Sequence, residues 1–494
     1  MRVQYASVEK ILGGMRRKRL KQTGWTLAAL ALLVGAGLWL ARDRPAPALF
    51  AAEVEGGGTV FPEQRFAKRH RFVNLDAKAM AAVIAKSGRV ELNLFPDARF
   101  TALLEKPDPL EGGSTFHGSL RGQPGSQVVL NTENGVLGAS VQTADGRSFL
   151  VTYTGDRRYV VVEIDWMKHN DPHHRPDHPF TYKFERTPDG TAVMMPQLPW
   201  NITNPVPGFP GFTTTLVGPA WPPQPMTYRP PWGPPVVGLM VLYTPDAEEQ
   251  VSGGLRGIES RIRLAMGQVN AAFRRSGITA RIQLMHTQKI NYTSAGDVNT
   301  DLRLLTRGAT DALFDAHILR GKHRADLVTL LVPTSPRNYS GRGASWMPTS
   351  LRPAPAYGFN VVEAPYMNTT ALAHELGHNL GCSHATNDLG GNINGAFTNA
   401  HGYRFSLTTN TRTFNYQTIM AYGPGIPLGY YSNPNVLFYG LPVGSAAANN
   451  AAAINQTARM VGSYLSGGYN PPVYLPWTPP ANRPGLRATT PWGN

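Results

Sequence analysis

The sequence predicts an α+β protein, in which a β-rich N-terminal domain precedes an α/β-type sheet with backing helices. Residues 60–187 contain short apolar or alternating runs, such as "QVVLNT" and "RRYVVVEID", separated by Gly, Asp and Asn, and this pattern indicates short strands. Residues 236–466 instead alternate apolar runs with longer segments of helical spacing. The chain has 494 residues, which is enough for two or three domains.

The second domain opens with "VVGLMVLYTP", a nearly unbroken apolar run that predicts a buried strand. A long amphipathic helix is predicted near residues 257–276. Its apolar residues recur at helical spacing, namely Ile258, Ile262, Met266, Val269 and Phe273. Further strands are predicted for "ARIQLMH", "ADLVTLLVP", "GRGASWMP" and "GFNVVEA". The segment "TTALAHELGHNLG" then predicts a short helix that stops near Gly381, because glycine tolerates the left-handed conformation that ends many helices.

The remaining segments predict export and a flexible connection. Residues 1–48 combine a cationic head, an apolar run over residues 25–41 and an Ala-Pro-Ala sequence, which is the arrangement of a signal peptide. An uncleaved membrane anchor is the alternative, and both interpretations place the rest of the chain in a secreted or periplasmic location. Residues 188–235 are rich in Pro and Gly and predict a semi-rigid linker, and residues 467–494 predict a Pro-rich tail.

The distribution of charge argues against a nucleic-acid partner, and the cysteine count excludes an intramolecular disulfide. The net charge is +15, but Lys and Arg are scattered beyond the N-terminal head and form no nucleic-acid module. Cys382 is the single cysteine, so an intramolecular disulfide is excluded and cysteine usage does not assign the compartment. A histidine cluster stands among Pro and Asp, which favours an exposed loop, with metal binding or pH sensing as the alternatives. Its members are His169, His173, His174 and His178.

The stretch "HELGHNLGCSH", residues 374–384, predicts a metal centre. His374 and His378 are four residues apart, so a helix places both imidazoles on one face, where they can bind one zinc ion. Glu375 is placed to act as general base on a water in the open zinc position. The chain can turn at Gly381, so that His384 returns as the third ligand. Three imidazoles and one water make the open site of a catalytic zinc rather than a structural one.

The pattern HExxHxxGxxH resembles the signature of the metzincins, a clan of zinc endopeptidases. This resemblance implies that Met420, in "QTIMAYG", forms an apolar floor below the zinc ligands, and that Tyr422 stabilises the oxyanion. The closing segment "YYSNPNVLFYGLPVGSAAANNAAAINQTARMVGSYL" is similar to that of reprolysin-like bacterial metalloproteases, including the peptidyl-Asp metalloendopeptidases. Ala385 departs from the pattern, because reprolysins usually carry Asp after the third histidine.

The same resemblance implies roles for two other segments. Residues 60–187 are similar to a propeptide that aids folding and blocks the cleft, with an independent binding domain as the alternative. The strand around Gly343–Trp346 is expected to be the sheet edge that lines the cleft. An extended peptide could add there as a further strand through backbone hydrogen bonds.

We therefore expect an exported zinc endopeptidase that is made with a propeptide and acts on protein or peptide substrates, with no nucleic-acid partner. Two alternatives from other classes stay open: an inactive metzincin-fold binding or adhesion module, and a zinc amidase acting on cell-wall peptides. The intact Glu375 argues against the inactive module, which has no chemical need for that carboxylate. Membrane association through residues 25–41 belongs to the anchored interpretation. Cleavage preference and oligomeric state are left open by the sequence.

Overall fold

The N-terminal part of the chain forms one large antiparallel sheet. The structure is a computed structural model, and it describes residues 48–55, 61–76, 80, 88–110, 113–169, 181–186, 192–197, 233–334, 342–388, 391–408, 412–423 and 425–465. The strands of this sheet are β1 Phe50–Val54, β2 Ala67–Leu75, β3 Arg89–Phe95, β4 Ala98–Leu104, β5 Asp108–Leu110, β6 Gly113–Leu120, β7 Gln123–Glu133, β8 Val136–Gln142, β9 Ser148–Gly155 and β10 Arg158–Ile164. We call residues 48–169 the N-terminal sheet domain.

The sheet curves until its two ends meet. Its strand order is β1-β2-β10-β9-β8-β7-β6-β4-β3, with β5 paired to β6. Leu49, just before β1, donates its backbone N–H to the carbonyl of Glu91 in β3 over 2.9 Å. The tight turn between β7 and β8 uses Asn134 and Gly135, whose φ angles of 48° and 78° match the twist that a two-residue hairpin needs. The inner face of the curved sheet encloses a core of aliphatic and aromatic side chains.

The C-terminal domain, residues 233–465, mixes helices and strands. The N-terminal sheet domain ends with a short helix, α1 Trp166–His169. A hairpin, β11 Thr181–Arg186 and β12 Ala192–Gln197, follows it in the chain before the C-terminal domain. The C-terminal domain then contains β13 Val236–Tyr243, α2 Pro245–Gln250, α3 Gly254–Arg275, β14 Arg281–Lys289, α4 Val298–Arg307, α5 Asp311–His323, β15 Leu327–Val332, β16 Gly343–Ser345, β17 Met347–Pro348, β18 Phe359–Glu363, α6 Ala371–Asn379, β19 Arg404–Thr408, β20 Thr413–Gln417, β21 Ile426–Pro427, β22 Leu437–Phe438, β23 Leu441–Pro442 and α7 Asn450–Val461.

The central sheet of this domain has the order β14-β13-β15-β18-β16. Its first four strands are parallel, and β16 runs antiparallel to β18. All residues of β15 and β18 are buried, as expected for parallel strands that are covered on both faces. The prediction that the strand around Gly343–Trp346 lies at a sheet edge is confirmed, because β16 is the last strand of the order. The helix predicted near residues 257–276 is α3, and its five predicted apolar residues lie in the main core.

Two features differ from the sequence prediction. Helices α4 and α5 were not predicted. Residues 188–235 were predicted as a linker, yet Ala192–Gln197 within them forms β12, which pairs with β11 on one side and with β17 on the other. The predicted linker is therefore not irregular throughout, because backbone hydrogen bonding to a sheet edge stabilises part of it.

Several predictions fall on residues that the structure does not describe. They concern residues 1–47, including the apolar run 25–41, most of the linker and the tail from residue 467. The side chains of the cluster from His169 to His178 also lie outside the described residues. Among the residues that are described, none belongs to a helix long and apolar enough to cross a membrane.

Candidate active site

Three imidazoles converge where α6 ends and the chain turns back. Nε2 of His384 lies 3.1 Å from Nε2 of His374 and 2.9 Å from Nε2 of His378. In the described part of the chain, these three histidines form a group that could hold a metal ion. Each offers one ligand atom, and these atoms all lie within 4.8 Å of one another. The structure therefore brings together the three ligands predicted from the sequence motif.

The turn after α6 brings the third histidine back. Gly381 has a φ of 80°, the left-handed region that glycine adopts without steric cost. A side chain at Gly381 would also meet the Cβ of Ala396 at 2.6 Å, so both conformation and space require glycine there. The N–H of Cys382 then donates to the carbonyl of Gly377 over 2.9 Å, which closes the helix end. Beyond the turn, the carbonyl of His384 is hydrogen-bonded to Nδ1 of His401 at 2.8 Å.

Outer hydrogen bonds fix the protonation of two of the imidazoles. Nδ1 of His374 lies 2.8 Å from the carbonyl oxygen of Ile419, and Nδ1 of His378 lies 2.8 Å from that of Cys382. A carbonyl only accepts, so each Nδ1 carries the proton and each Nε2 presents a lone pair to the centre. Burial also lowers the pKa of His374 to about 4 and the pKa of His378 well below its usual value, which keeps both rings neutral.

This donor set fits a zinc ion. Lone pairs of neutral imidazoles that face each other at about 3 Å repel one another unless a cation lies between them. Three nitrogen ligands that leave a fourth position open are the arrangement of catalytic zinc sites. Cys382 does not take part, because its thiol is fully buried beside the carbonyl of Asn450, and this burial raises its pKa well above the usual value. It is a packed residue of the core.

The carboxylate of Glu375 lies against the backbone of the edge strand. Only 5% of the residue is exposed, and burial raises its pKa to about 8. A cation held by the neighbouring imidazoles would favour the ionised form of this group. A Cβ atom at Gly343, in β16, would lie 2.6 Å from Oε1 and 2.7 Å from Cγ of Glu375. Glycine at position 343 therefore leaves the space that the carboxylate occupies.

Met420 lies beneath α6, the helix that carries His374 and His378. It is completely buried, and a Cβ atom at Gly377 would meet its Sδ at 2.5 Å. Tyr431 supports the same side of the helix, since its hydroxyl donates to the carbonyl of Ala373 over 2.6 Å. The thioether is thus packed against the turn of helix between His374 and His378, on the side where the resemblance implied an apolar floor.

The hydroxyl of Tyr422 lies at the centre of the imidazole group. It is 2.9 Å from Nε2 of His374 and 3.2 Å from Nε2 of His384, and the residue is 44% exposed. The backbone of Tyr422 is held on both sides. Its N–H donates to Oδ2 of Asp388 over 2.7 Å, and its carbonyl accepts a 2.7 Å hydrogen bond from Nη1 of Arg404. The same nitrogen of Arg404 contacts Oδ1 of Asp388 at 2.5 Å. This Asp388–Arg404 clamp orients the tyrosine towards the histidines.

Ala385, where the sequence departs from the reprolysin pattern, lies close to the clamp. At this position the chain contributes only backbone, since the N–H of Ala385 donates to the carbonyl of Met420 over 3.0 Å. In the turn that follows Met420, the N–H of Tyr422 donates to the carboxylate of Asp388, three residues after Ala385. Sequence analysis missed Asp388 and Arg404, although an acidic residue close behind the third histidine was a readable signal.

Asn379 ties α6 to the cleft edge, a role that was not predicted from the sequence. Its side-chain amide donates to the carbonyls of Trp346 at 2.9 Å and Phe359 at 3.1 Å. Its oxygen accepts a 2.8 Å hydrogen bond from the side chain of Asn360. The residue follows His378 directly, so it fixes the distance between the ligands and the edge strand.

Comparison with known proteins agrees with this geometry. A family described as Metallo-peptidase family M12 matches residues 234–431. This chain is a metzincin-like metallopeptidase. The peptidyl-Asp metalloendopeptidase of Stenotrophomonas maltophilia (strain R551-3) is similar to this metzincin-like metallopeptidase, with 26% identity over 382 residues. That alignment covers 73% of this chain and 79% of the relative. The assignment makes the chain a metalloendopeptidase.

Two solved structures are also similar to parts of this metzincin-like metallopeptidase. Metalloproteinase-II from Bacteroides fragilis matches with a TM-score of 0.40 and 10% identity, covering 78% of this chain and 96% of that chain. A structure titled "Structure of a chaperone-substrate complex" matches with a TM-score of 0.35 and 15% identity, covering 47% of this chain and 36% of that chain.

Proposed function

We propose that this metalloendopeptidase binds zinc through His374, His378 and His384, and that it is exported and made with a propeptide. The observation that supports the zinc proposal is the convergence of three Nε2 atoms on one point. When bound there, zinc would polarise the scissile carbonyl and acidify a water molecule. The carboxylate of Glu375 takes the proton from that water and later delivers it to the leaving amine.

The other groups hold the peptide and the developing charge. The hydroxyl of Tyr422 donates a hydrogen bond to the oxyanion as the scissile carbonyl becomes tetrahedral. The edge strand β16 is paired with β18 on one side in the described sheet, so an extended peptide could pair with its other side and would then lie beside Glu375. Glu375 is buried, and this low-polarity environment strengthens its electrostatic interactions.

The substitution Glu375→Ala tests this mechanism. The purified variant should keep one zinc per chain, measured by elemental analysis, while casein cleavage falls by at least about 10²-fold because the general base is gone. Glu249→Ala, an exposed glutamate on α2, is the matched control and should leave activity unchanged. Removal of metal with a chelator should abolish cleavage, and zinc should restore it. Chelator-resistant cleavage, or full activity of Glu375→Ala, would overturn the mechanism.

The two alternatives from sequence analysis differ from this proposal in what they digest. An inactive binding module would cleave neither casein nor cell-wall fragments, and an amidase would release peptides only from the wall fragments. Cleavage of casein alone is the result we expect.

We further propose a preference for peptide bonds next to aspartate. The support is the name of the curated relatives, peptidyl-Asp metalloendopeptidases, and the chain's net charge of +15 is compatible with acidic substrates. Paired peptides that differ only by Asp or Asn near the cleaved bond test this. Equal cleavage of both would remove the preference and leave the endopeptidase assignment intact.

The hairpin β11–β12 supports the propeptide proposal. The backbone of β12 pairs with β17, in the register Met194 with Met347 and Val193 with Pro348. Strand β17 continues β16 along the cleft edge, so the chain's own strand lies next to the place that a substrate would use. We propose that cleavage within residues 201–232 releases this strand. N-terminal sequencing of the exported protein should then find a chain terminus within residues 201–232. An exported, active chain without that cut would contradict the proposal.

A further inference from the structure

Helix α3 is buried on two opposite faces. One face carries the predicted apolar residues, including Ile262 and Phe273, which pack in the main core of the C-terminal domain. The opposite face carries Leu264 and Ala271, one helical repeat of seven residues apart, which pack in a separate cluster. The members of this cluster from the N-terminal sheet domain are Phe66, Val129, Leu150 and Ile164. A helix that is buried on both sides is the middle layer between two sheets rather than the outer layer of one.

Polar contacts flank this second apolar stripe. The guanidinium of Arg261 pairs with the carboxylate of Glu63, and their side chains are only 2% and 0% exposed. Such a pair is stable only because each charge meets the other, since removing either one leaves an uncompensated buried charge. At the end of α3, the guanidinium of Arg275 donates 2.7 Å hydrogen bonds to the Gln127 side chain and to the Gly125 carbonyl.

The two domains also approach closely at the centre of the stripe. A Cβ atom at Gly267 would lie 2.8 Å from Cγ1 of Val129 and 3.0 Å from Cγ2 of Thr115. Glycine at this position therefore lets the sheet lie directly against the helix. In addition, Gln268 donates to Ser140 over 3.0 Å from the neighbouring position.

The same face of α3 holds the segment that leads into the metal-binding helix. Gln268 donates to the carbonyl of Asn368 over 2.8 Å, and the side-chain amide of Asn368 donates to the carbonyl of Arg261 over 2.7 Å. On the other side of the site, Gln142 of the N-terminal sheet domain donates to the carbonyl of Pro427 over 2.7 Å. The N-terminal sheet domain thus supports chain segments both before His374 and after Met420.

We propose that this face of α3 is a permanent protein interface, and that the N-terminal sheet domain stays bound as a structural subunit after the chain is cut. This inference rests on the proposed cleavage within residues 201–232. The interface combines an apolar stripe, a buried ion pair and close backbone approach, which are properties of a domain interior rather than of a removable cover. Cleavage would then free β12 from the cleft edge without removing the rest of the N-terminal half.

The full-length protein with a recognition sequence for a specific protease placed within residues 201–232 tests this. After complete cleavage, size-exclusion chromatography in native buffer should show both fragments in one peak, and the peak should split in denaturant. Two separate peaks in native buffer would overturn the inference. Casein cleavage is measured on the same fractions. A single peak without activity would count against the proposed function only, and active but separated fragments would count against this inference only.

Two substitutions show whether the contact runs through α3. Gly267→Leu should separate the cut fragments, because its side chain would occupy the space of Val129. Gly321→Leu, in the exposed last part of α5 with no atom within 4 Å of the added Cβ, is the matched control and should leave them together. Glu63→Ala should raise the dissociation constant of the fragments by a factor of roughly 10² to 10³, whereas Asp97→Ala, which breaks an exposed ion pair, should change it less than about tenfold. Unchanged association of both Gly267→Leu and Glu63→Ala would contradict the assignment of the interface to this face.

Discussion

Gly343 of the edge strand lies against Glu375, the proposed general base, and this proximity yields a quantitative prediction for Gly343→Ala. The added methyl group would lie 2.7 Å from Cγ and 2.8 Å from Cδ of Glu375. Ordinary carbon contacts begin at about 3.5 Å, so the carboxylate side chain must move by roughly 0.8 Å. It has little freedom to swing into solvent, because Glu375 is only 5% exposed.

The size of the effect follows from this displacement. A misplacement of about 1 Å in a catalytic group lowers the rate about 10²-fold, which corresponds to about 2.7 kcal/mol of transition-state stabilisation. We therefore expect kcat of Gly343→Ala to fall by roughly 50- to 100-fold with zinc content unchanged. The fold should survive, because alanine is compatible with a strand and position 343 lies at the end of a sheet.

Steady-state kinetics on a fluorogenic peptide, with zinc content measured in parallel, decide the case. Gly321→Ala is the control, since the same methyl group there meets open space. If the edge strand moved instead of Glu375, KM would rise and kcat would stay unchanged, because the peptide rather than the base would be misplaced. An unchanged kcat for Gly343→Ala would refute the claim that this glycine positions the carboxylate.

Three further predictions concern the surroundings of the histidines. Tyr422→Phe should lower kcat/KM about 10²-fold in peptide assays while zinc stays bound, because one hydrogen-bond donor to the oxyanion is lost; equal activity would remove Tyr422 from the mechanism. Asp388→Ala should lower kcat because Tyr422 loses a hydrogen bond that orients it. The double variant Asp388→Ala/Tyr422→Phe should therefore be no slower than Tyr422→Phe alone, and additive losses would contradict the clamp. Gly377→Ala should lower the melting temperature, because overpacking against Met420 costs about 1–3 kcal/mol and outweighs the gain of about 1 kcal/mol in helix propensity; a higher melting temperature would show that Met420 is free to move.

The cluster of three histidines was predictable because its geometry is local. His374 and His378 are related by helical spacing, and Gly381 marks the turn that returns His384, so eleven consecutive residues define the cluster. The clamp residues could not be predicted in this way. Arg404 acts on Tyr422 from a separate strand, and a pairing between side chain and distant backbone leaves no periodic signal in the sequence.

Physical reasons also explain why some helices and strands were not predicted from the sequence. Strand β2, "AKRHRFVNL", carries many cationic residues because its charges pair with neighbouring strands, so its hydrophobic pattern is weak. Asp297 caps the start of helix α4, because its side chain accepts a hydrogen bond from the N–H of Thr300; this capping signal was readable in the sequence. In α3, the second stripe at Leu264, Gly267 and Ala271 was also readable, and it indicated burial on both faces.

The site depends on support at both ends of one short helix, and this explains why two domains are built around it. The nine residues of α6 are too few to form a stable helix alone, so their geometry comes from tertiary contacts. Before the helix, Asn368 is bonded to α3, which is itself held by the N-terminal sheet domain. At its end, Asn379 is bonded to the edge strand. Loss of the N-terminal sheet domain would therefore loosen the approach to His374 while leaving the edge contact intact. A retained subunit is thus expected to protect metal geometry more than peptide binding.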